Sequence, residues 1–219
     1  DVDYPKLWDS YHELLLGPDL GRIRKMLVRY DLYKQSIGID GDIFECGVFK
    51  GAGLMFWLKI LQLFEPESSK KVVGFDTFEF FQGSMNEKER ASAEEYMEEA
   101  QAKGVDVETI ISYAEKAGLA NRLELVKGNI EETAFQYMKD HPETKISFLH
   151  QDLDTYEGTL KSLQAFYPHM SSGGVIVFDE YGDPKWDETQ AVDEFFQDKE
   201  EEVQIISLEH KPTAYLIKK

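Results

Sequence analysis

Two groups of acidic side chains follow apolar runs in the second half of the chain. The first group is His150-Gln151-Asp152-Leu153-Asp154, and the second is Asp179-Glu180. Because each group follows a run typical of a buried parallel strand, both should lie at the same edge of one sheet and face a common crevice. Crowded carboxylates repel one another unless a cation lies between them, and hard divalent cations prefer oxygen ligands. Asp152, Asp179 and Glu180 are therefore predicted to bind Mg²⁺, with Ca²⁺ or Mn²⁺ as alternatives.

The predicted crevice also contains His150, which could act as a general base near neutral pH. Asp152 is a second candidate for that role. A core histidine that is hydrogen-bonded to a neighbour would look the same in the sequence. The carboxylates also have a structural interpretation, in which Asp154 caps the next helix and the Asp179-Glu180 pair ends a strand in solvent.

A glycine-rich turn follows an earlier apolar run, where the sequence reads ECGVFKGAG over residues 45–53. Gly47, Gly51 and Gly53 have the spacing Gly-x-x-x-Gly-x-Gly, and their missing side chains allow the backbone to approach a ligand closely. Dinucleotide-binding proteins instead use Gly-x-Gly-x-x-Gly to hold a pyrophosphate at a helix N-terminus. The turn suits a ligand without phosphate, such as S-adenosylmethionine, and the Glu45 carboxylate would pair with its amino group.

Further residues at strand ends complete the predicted cofactor site. Asp76 ends the second apolar run, where an acid could accept hydrogen bonds from ribose hydroxyls, and Thr77 follows it. Gly128 and Asn129 follow the third run and are predicted to line the adenine, while Gln151 is a further predicted cofactor contact. The alternatives are an ordinary strand-to-helix turn, a helix cap at Asp76 and a helix cap at Asn129.

The elements that position these residues alternate as in βαβ units, which predicts an α/β fold with a parallel sheet. A chain of 219 residues suits one such domain. Parallel strands are predicted over residues 43–46, 72–75, 123–126, 146–150 and 175–178. Helices are predicted between them over residues 54–64, 130–140, 156–170 and 187–197.

The two ends of the chain depart from this alternation. Helices predicted over residues 4–16 and 20–37 form an N-terminal segment, residues 1–40, that would cap the ligand site or serve a dimer interface. Residues 41–219 form the remaining domain, with a helical insertion over about 82–120. Most of this insertion is expected to be a solvated helix face, and residues 82–85 are a candidate lid. Runs over 203–208 and 213–217 must pair as an antiparallel hairpin.

Composition limits the classes of partner. A net charge of −18 repels a nucleic acid backbone, and the longest apolar stretch is too short to span a bilayer. With Cys46 as its one cysteine, the chain forms no intrachain disulfide, so we expect a cytoplasmic protein. The chain begins at Asp1 rather than at a methionine, which leaves open whether residues precede it.

Three stretches, residues 41–53, 150–159 and 173–182, resemble macrocin O-methyltransferase-like enzymes, and the similarity covers most of residues 22–196. Its motifs are Asp-x-Asp-x-Tyr-Glu-x-Thr, then Gly-Gly and an acidic pair before Tyr-Gly, and they are specific as a set. The resemblance implies a Rossmann-like class I methyltransferase fold: a seven-stranded, mostly parallel sheet with an antiparallel last strand and helices on both faces.

The resemblance also implies S-adenosylmethionine as methyl donor, a sugar hydroxyl of a natural product as acceptor, and magnesium. The implied cofactor contacts are Glu45, Gly47, Gly51 and Asp76, and the implied metal ligands come from Asp152, Asp179 and Glu180. One departure concerns the acidic pair, which is commonly two aspartates in the family. Glu180 has a longer side chain that could shift or abolish the metal site. The insertion after Gly83 also differs, so the acceptor is not carried over.

For such an enzyme the main task is to hold the acceptor oxygen against the sulfonium methyl group for an in-line displacement. A metal bound to two neighbouring hydroxyls would lower the pKa of the attacking one, and His150 or Asp152 would take its proton. Tyr181 and Trp186 are candidates for stacking on a sugar ring, or else surface loop aromatics, and Tyr156 is a further predicted substrate contact. Rival interpretations are a hydroxylase or nicotinamide-dependent oxidoreductase on the same fold, and a non-catalytic cofactor-binding subunit.

Overall fold

The predicted apolar runs form the strands of one sheet flanked by helices. The computed structural model describes residues 3–79, 83–99, 105–206 and 211–219. The helices are α1 (Tyr4–Leu16), α2 (Gly21–Ser36), α3 (Ala52–Phe64), α4 (Glu87–Glu99), α5 (Val107–Lys116), α6 (Ile130–Asp140), α7 (Tyr156–Phe166) and α8 (Glu188–Phe196). The strands are β1 (Asp42–Cys46), β2 (Val72–Asp76), β3 (Leu123–Lys127), β4 (Ile146–Gln151), β5 (Met170–Phe178), β6 (Gln204–Ile205) and β7 (Ala214–Ile217).

The sheet has the order β3-β2-β1-β4-β5-β7-β6. Strands β1 to β5 pair in parallel, whereas β7 is antiparallel to both β5 and β6. The predicted seven-stranded, mostly parallel sheet with a reversed last strand is therefore confirmed. The strand order changes direction between β1 and β4, and ligands of open α/β sheets bind beyond the carboxyl ends of strands at such a switch point.

Helices cover both faces of the sheet, which explains why its strands are continuous apolar runs rather than alternating ones. Neighbouring residues of β1 enter different cores, and both are fully buried. Phe44 packs with Phe75 and Phe166 on one face, with ring centroids 5.3 and 5.1 Å away. Ile43 belongs to the opposite core with Trp57. These two cores fix the ends of β1 and β4 relative to each other.

The helix predicted over residues 156–170 is too long. Helix α7 ends at Phe166, a short 3₁₀ turn covers Tyr167–His169, and Met170 already belongs to β5. Pro168 lies in that turn and cannot donate the backbone hydrogen bond that would continue the α-helix. Strand β5 is correspondingly longer than predicted, because Met170 pairs with Ile146 before a register shift.

The predicted hairpin and insertion lie partly outside the described residues. Strand β6 covers only Gln204–Ile205, which pair with Tyr215 and Ala214. Of the predicted continuation to residue 208, Ile206 lies outside the strand, and residues 207 and 208 are not described. The first residue of the candidate lid, residue 82, also lies outside them. Further along the lid, Ser84 donates from its backbone nitrogen to Glu131 of α6 at 2.6 Å.

The N-terminal helices differ in how they contact the sheet. Helix α2 buries Leu32 and Tyr33 in the same core as Ile43, whereas α1 buries none of its side chains. Within the described ranges, none of the helices combines the length and the apolar character that crossing a bilayer requires.

Glu201 anchors the C-terminus and provides a pH-dependent test of stability. It accepts hydrogen bonds from Tyr167 Oη at 2.6 Å and Lys218 Nζ at 3.0 Å. Although burial opposes it, these bonds lower the pKa of Glu201 to about 2. We expect Glu201→Gln to destabilise the protein by about 1–3 kcal/mol above pH 5. Because the carboxylate is protonated at low pH in both states, the difference should shrink as the pH falls from about 4.3 towards 2.

Thermal melts of the wild type and Glu201→Gln across this pH range measure the effect, and the exposed neighbour Glu202→Gln is the control. A melting-temperature difference that is the same at pH 3 and pH 7 would contradict the assignment.

Candidate functional site

A cavity of about 1030 Å³ lies beyond the carboxyl ends of β1, β2, β4 and β5, and most predicted site residues line it. From the sheet side these are Glu45, Gly47, Asp76, Thr77, Gly128, Asn129, Asp152, Asp179, Glu180 and Trp186. From the N-terminal helices, Leu14, Arg22, Lys25, Met26 and Arg29 also line it. The glycine turn and the acidic residues therefore share one cavity.

The first glycine of the turn holds the loops after β1 and β4 together. Gly47 has φ 88°, and a Cβ atom at this position would lie 1.9 Å from the carbonyl oxygen of Asp152. The Asp152 nitrogen in turn donates to the Cys46 carbonyl at 2.9 Å. Gly51 also has a positive φ, 80°, and begins α3, packed against Ile110 rather than on the cavity lining.

Asp76 supports the glycine turn from β2. Its Oδ2 accepts hydrogen bonds from the backbone nitrogens of Val48 at 2.7 Å and Phe49 at 2.9 Å, and its Oδ1 accepts one from Phe78 at 2.7 Å. The structural alternative of a helix starting at Thr77 is wrong, because residues 77–79 are not helical. Contact of Asp76 with ribose hydroxyls stays a prediction. Because Oδ2 already accepts two backbone hydrogen bonds, a ribose contact would have to use Oδ1.

Glu45 is buried at the end of β1, with 1% of its surface exposed. Its Oε1 accepts a hydrogen bond from Trp57 Nε1 at 3.1 Å and lies 3.3 Å from His150 Nδ1. Within the described part of the chain, Oε2 has no hydrogen-bond partner. A Cβ atom on Gly53 would lie 2.1 Å from Oε1, so the third glycine of the turn is needed to make room for this carboxylate.

His150 lies between two carboxylates and is fully buried. Its Nδ1 faces Glu45, and its Nε2 lies 3.2 Å from Asp179 Oδ1. Burial alone would lower the pKa of His150, but the hydrogen bonds to Asp179 and Glu45 outweigh it and raise the pKa. A ring that donates from both nitrogens has no lone pair to accept a proton. The base role of His150 stays a prediction that this arrangement does not favour, whereas the alternative of a hydrogen-bonded core histidine fits it.

Asp179 has a hydrogen-bonding partner on each of its oxygens. Lys25 of α2 donates to Oδ2 at 2.8 Å, opposite the His150 contact at Oδ1. Although burial opposes it, the His150 hydrogen bond and the Lys25 charge hold the pKa of Asp179 below its usual value. Burial alone would lower the pKa of Lys25, but the charges of Asp152 and Asp179 raise it.

The remaining acidic residues carry unsatisfied oxygens. Ligand atoms of Asp152, Asp154 and Glu180 lie within 4.8 Å of one another. Within the described ranges, Asp154 Oδ1 and Glu180 Oε2 are buried without a hydrogen-bond partner. Burial, followed by the neighbouring charge of Asp152, raises the pKa of Asp154 to about 8. Burial and the charge of Asp179 likewise raise the pKa of Asp152.

The structural alternative for the acidic pair is wrong, because Asp179 and Glu180 are 1% and 3% exposed rather than in solvent. Asp154 does not cap α7 either. The position before that helix is Thr155, and the first backbone nitrogen, that of Tyr156, donates at 2.7 Å to Glu89 of α4. The oxygen-rich, partly unsatisfied arrangement of Asp152, Asp154 and Glu180 therefore fits a hard divalent cation.

Two predicted cofactor residues have structural contacts of their own. Asn129 caps α6, with Oδ1 accepting a hydrogen bond from Glu131 N at 3.1 Å, and it also lines the cavity. Gln151 is fully buried away from the lining, where Oε1 accepts a hydrogen bond from Ser162 Oγ at 2.8 Å. The prediction that Gln151 touches the cofactor is thus not supported by its position.

Of the three predicted substrate residues, only Trp186 lines the cavity. Tyr156 donates from its hydroxyl to Glu194 at 2.7 Å, and Tyr181 donates to Asp193 at 2.8 Å, both on α8. These two rings therefore lie against α8 rather than on the cavity lining.

We expect Tyr156→Phe and Tyr181→Phe to leave the affinity for S-adenosylhomocysteine within about twofold of the wild-type value, since each loses only a hydrogen bond to α8. Calorimetric titration measures this. A loss of affinity of tenfold or more in either variant would show that the tyrosine contributes to the binding site.

Sequence reasoning missed the cations that neutralise this crevice. Lys25 and Arg29 approach Asp152 from α2, and Lys211, ahead of β7, forms an ion pair with Glu180. Arg22, Lys25 and Arg29 have the spacing of one helix face, and this basic stripe in an acidic chain was the available signal. Tyr96 of α4 also lines the cavity, so the charged insertion does border the site.

The sheet order and the cavity at its switch point define the class I methyltransferase fold. The sequence matches the macrocin O-methyltransferase (TylF) family over residues 24–216, and the chain belongs to that family. The structure is similar to that of the apo form of CalS11, a TDP-rhamnose 3'-O-methyltransferase of calicheamicin biosynthesis. That similarity has a TM-score of 0.71 at 25% identity, and it covers 97% of this chain and 86% of the other.

Two curated relatives are O-methyltransferases of natural products, and the substrate name of one of them includes a rhamnosyl group. The mycinamicin III 3''-O-methyltransferase of Micromonospora griseorubida is 26% identical over 149 residues, which cover 66% of this chain and 56% of the relative. The 8-demethyl-8-(2,3-dimethoxy-alpha-L-rhamnosyl)-tetracenomycin-C 4'-O-methyltransferase of Streptomyces olivaceus is 24% identical over 146 residues, which cover 66% and 54%. The matches thus span about half the length of each relative.

Proposed function

We propose that this protein transfers a methyl group from S-adenosylmethionine to a hydroxyl of a sugar, either within a natural product or on its activated precursor. The observation that carries the proposal is the shared cavity, in which the glycine turn and a carboxylate cluster face each other at the switch point of the sheet. Family membership supports the donor, and the rhamnosyl group named for one relative and the TDP-rhamnose named for CalS11 support the acceptor.

The donor end of the cavity fits S-adenosylmethionine by its unsatisfied groups. Glu45 Oε2 lacks a partner within the described residues and would accept a hydrogen bond from the amino group of the methionine portion. Gly47 and Gly53 leave the backbone accessible there, while Asp76 fixes the turn and would meet the ribose. When bound, this cofactor supplies the methyl group as a good electrophile on a sulfonium.

The acceptor end fits Mg²⁺ held by Asp152, Asp154 and Glu180, with Asp179 behind them. A cation there supplies Lewis-acid polarisation of a bound hydroxyl. We assign proton removal to Asp152, a carboxylate that lines the acceptor end of the cavity. Lys25 and Arg29 keep Asp152 oriented from α2, and Trp186, which lines the cavity, would stack on the sugar ring of the acceptor.

The proposal is tested by incubating the protein with S-adenosylmethionine and a panel of TDP-rhamnose, rhamnosylated tetracenomycin and mycinamicin III. Mass spectrometry should find one acceptor that gains a single methyl group at a sugar oxygen. Binding of NAD in place of S-adenosylhomocysteine would instead support an oxidoreductase. Binding of S-adenosylhomocysteine without turnover of any sugar acceptor would favour a cofactor-binding subunit.

The metal part has its own expected result. With the active acceptor, EDTA should lower the rate by at least about tenfold, because the polarisation of the hydroxyl is lost, and added Mg²⁺ should restore it. Turnover that is the same with and without the chelator would remove the metal from the mechanism while leaving methyl transfer intact.

A further inference from the structure

A buried chain of polar side chains connects the glycine turn to the carboxylate cluster. Along it, Trp57 Nε1 is 3.1 Å from Glu45, His150 is 3.3 Å from Glu45 and 3.2 Å from Asp179, and Lys25 is 2.8 Å from Asp179. All members except Lys25 are at most 1% exposed. The two halves of the cavity therefore share one continuous set of hydrogen bonds.

His150 is the shared member of this chain. A buried carboxylate is costly unless it is hydrogen-bonded, and this one ring serves both Glu45 and Asp179. Because the ring is held at both nitrogens, it cannot rotate without losing one of the two contacts. Its position is further limited by Trp57, whose ring lies 5.6 Å away in an edge-to-face arrangement.

The contacts of Glu45 distinguish its two oxygens. Oε1 faces both Trp57 Nε1 and His150 Nδ1, and it packs against the bare α-carbon of Gly53. Oε2 is the oxygen left without a partner in the described part of the chain, on a residue that lines the cavity. If Oε1 were released, the carboxylate could rotate out of this plane, and no oxygen would be held towards the cavity.

We propose that His150 is a positioning residue that holds Glu45 Oε1, so that Oε2 is presented to the amino group of the cofactor's methionine portion. The inference rests on the proposed function, because it requires S-adenosylmethionine in the glycine-turn end of the cavity. The Asp179 contact of the ring serves as the anchor on the far side.

Two substitutions separate the nitrogens of His150. An asparagine amide can occupy the position of Nδ1 and still donate to Glu45, whereas a glutamine amide reaches the position of Nε2 and donates to Asp179 instead. Both variants lose the ring and its charge, so each is the matched control of the other.

Two ligands distinguish a loss of Glu45 positioning from a general loss of cofactor binding. S-adenosylhomocysteine carries the amino group, while 5'-methylthioadenosine keeps the adenosine and the sulfur but lacks the amino acid portion. In calorimetric titrations we expect His150→Gln to weaken the binding of S-adenosylhomocysteine by about tenfold or more, and that of 5'-methylthioadenosine by less than about twofold. His150→Asn should keep S-adenosylhomocysteine within about threefold of the wild-type affinity.

The inference would be overturned if His150→Gln lost the same factor of affinity for both ligands. It would also be overturned if His150→Gln and His150→Asn lost the same factor of affinity for S-adenosylhomocysteine. Should neither variant fold, Trp57→Phe removes the other donor to Oε1, and it should weaken S-adenosylhomocysteine selectively by a smaller factor. An unchanged ratio of the two affinities in that variant also overturns it. A wild-type protein that binds neither ligand contradicts the proposed function and the inference with it, whereas wild-type binding with an unselective variant contradicts the inference alone.

Discussion

Gly47→Ala should abolish measurable binding of S-adenosylhomocysteine and lower the free energy of unfolding by about 3 kcal/mol or more. The added Cβ would lie 1.9 Å from the carbonyl oxygen of Asp152, a backbone atom that cannot move without displacing the loop after β4. The left-handed backbone at this position adds its own strain for any residue with a side chain. Calorimetric titration and thermal melts measure the two effects.

Gly38→Ala is the matched control, because it separates backbone strain from the steric clash. Gly38 has a similar φ of 79°, but a Cβ there meets nothing within 4 Å. The Gly38→Ala variant should lose only about 1–2 kcal/mol in free energy of unfolding, and its affinity for S-adenosylhomocysteine should equal that of the wild type. If Gly47→Ala were no more damaging than Gly38→Ala, the close contact between the loops after β1 and β4 would be wrong.

Asp179→Asn should lower kcat/KM for methyl transfer by about 100-fold or more. Asp179 accepts from Lys25 on one oxygen and faces the His150 ring on the other. An asparagine offers only one acceptor oxygen, so its amide NH₂ group must face one of these two donors. The NH₂ group then either faces the Lys25 ammonium, which is repulsive, or forces His150 Nε2 to give up its proton and accept, and in both cases the carboxylate cluster loses its order. Steady-state kinetics with the identified acceptor measure the effect.

The control for this variant is Asp183→Asn in the same loop after β5. Asp183 is partly exposed and lies 3.9 Å from Lys211, so the same change of charge should reduce kcat/KM by less than about threefold. Melting temperatures of both variants show whether they fold. A folded Asp179→Asn protein with wild-type kinetics would exclude this cluster from catalysis.

The sheet could be predicted from the sequence because each strand is marked by a local pattern of residues. Parallel strands buried on both faces appear as unbroken apolar runs, and carboxyl-terminal strand ends of one sheet lie on the same side. Gly47, Glu45, Asp152 and Asp179 could therefore be assigned to one crevice from their positions after those runs. Helical periodicity alone does not show the end of α7, because the periodic pattern continues past Pro168, whose missing N–H stops the helix.

The contacts within the site were less predictable, because they join distant parts of the chain. Lys25 and Asp179 are 154 residues apart, and nothing in the spacing of either reveals the pair. The same holds for Tyr156 and Tyr181, whose ring types suggested substrate contacts. Their orientation depends on carboxylates of α8 that no local pattern connects to them.

The contact between Glu89 and Tyr156 has a consequence for transplanting the insertion between related enzymes. Glu89 is 1% exposed and supplies the first turn of α7 with its external cap, in a position where Thr155 forms no side-chain cap of its own. An α4 taken from another enzyme would bring new side chains to the rim of the cavity. Without a carboxylate at this position, however, it would leave the backbone N–H of Tyr156 at the start of α7 without its acceptor. A chimera should therefore keep Glu89 and exchange only the outward residues of α4.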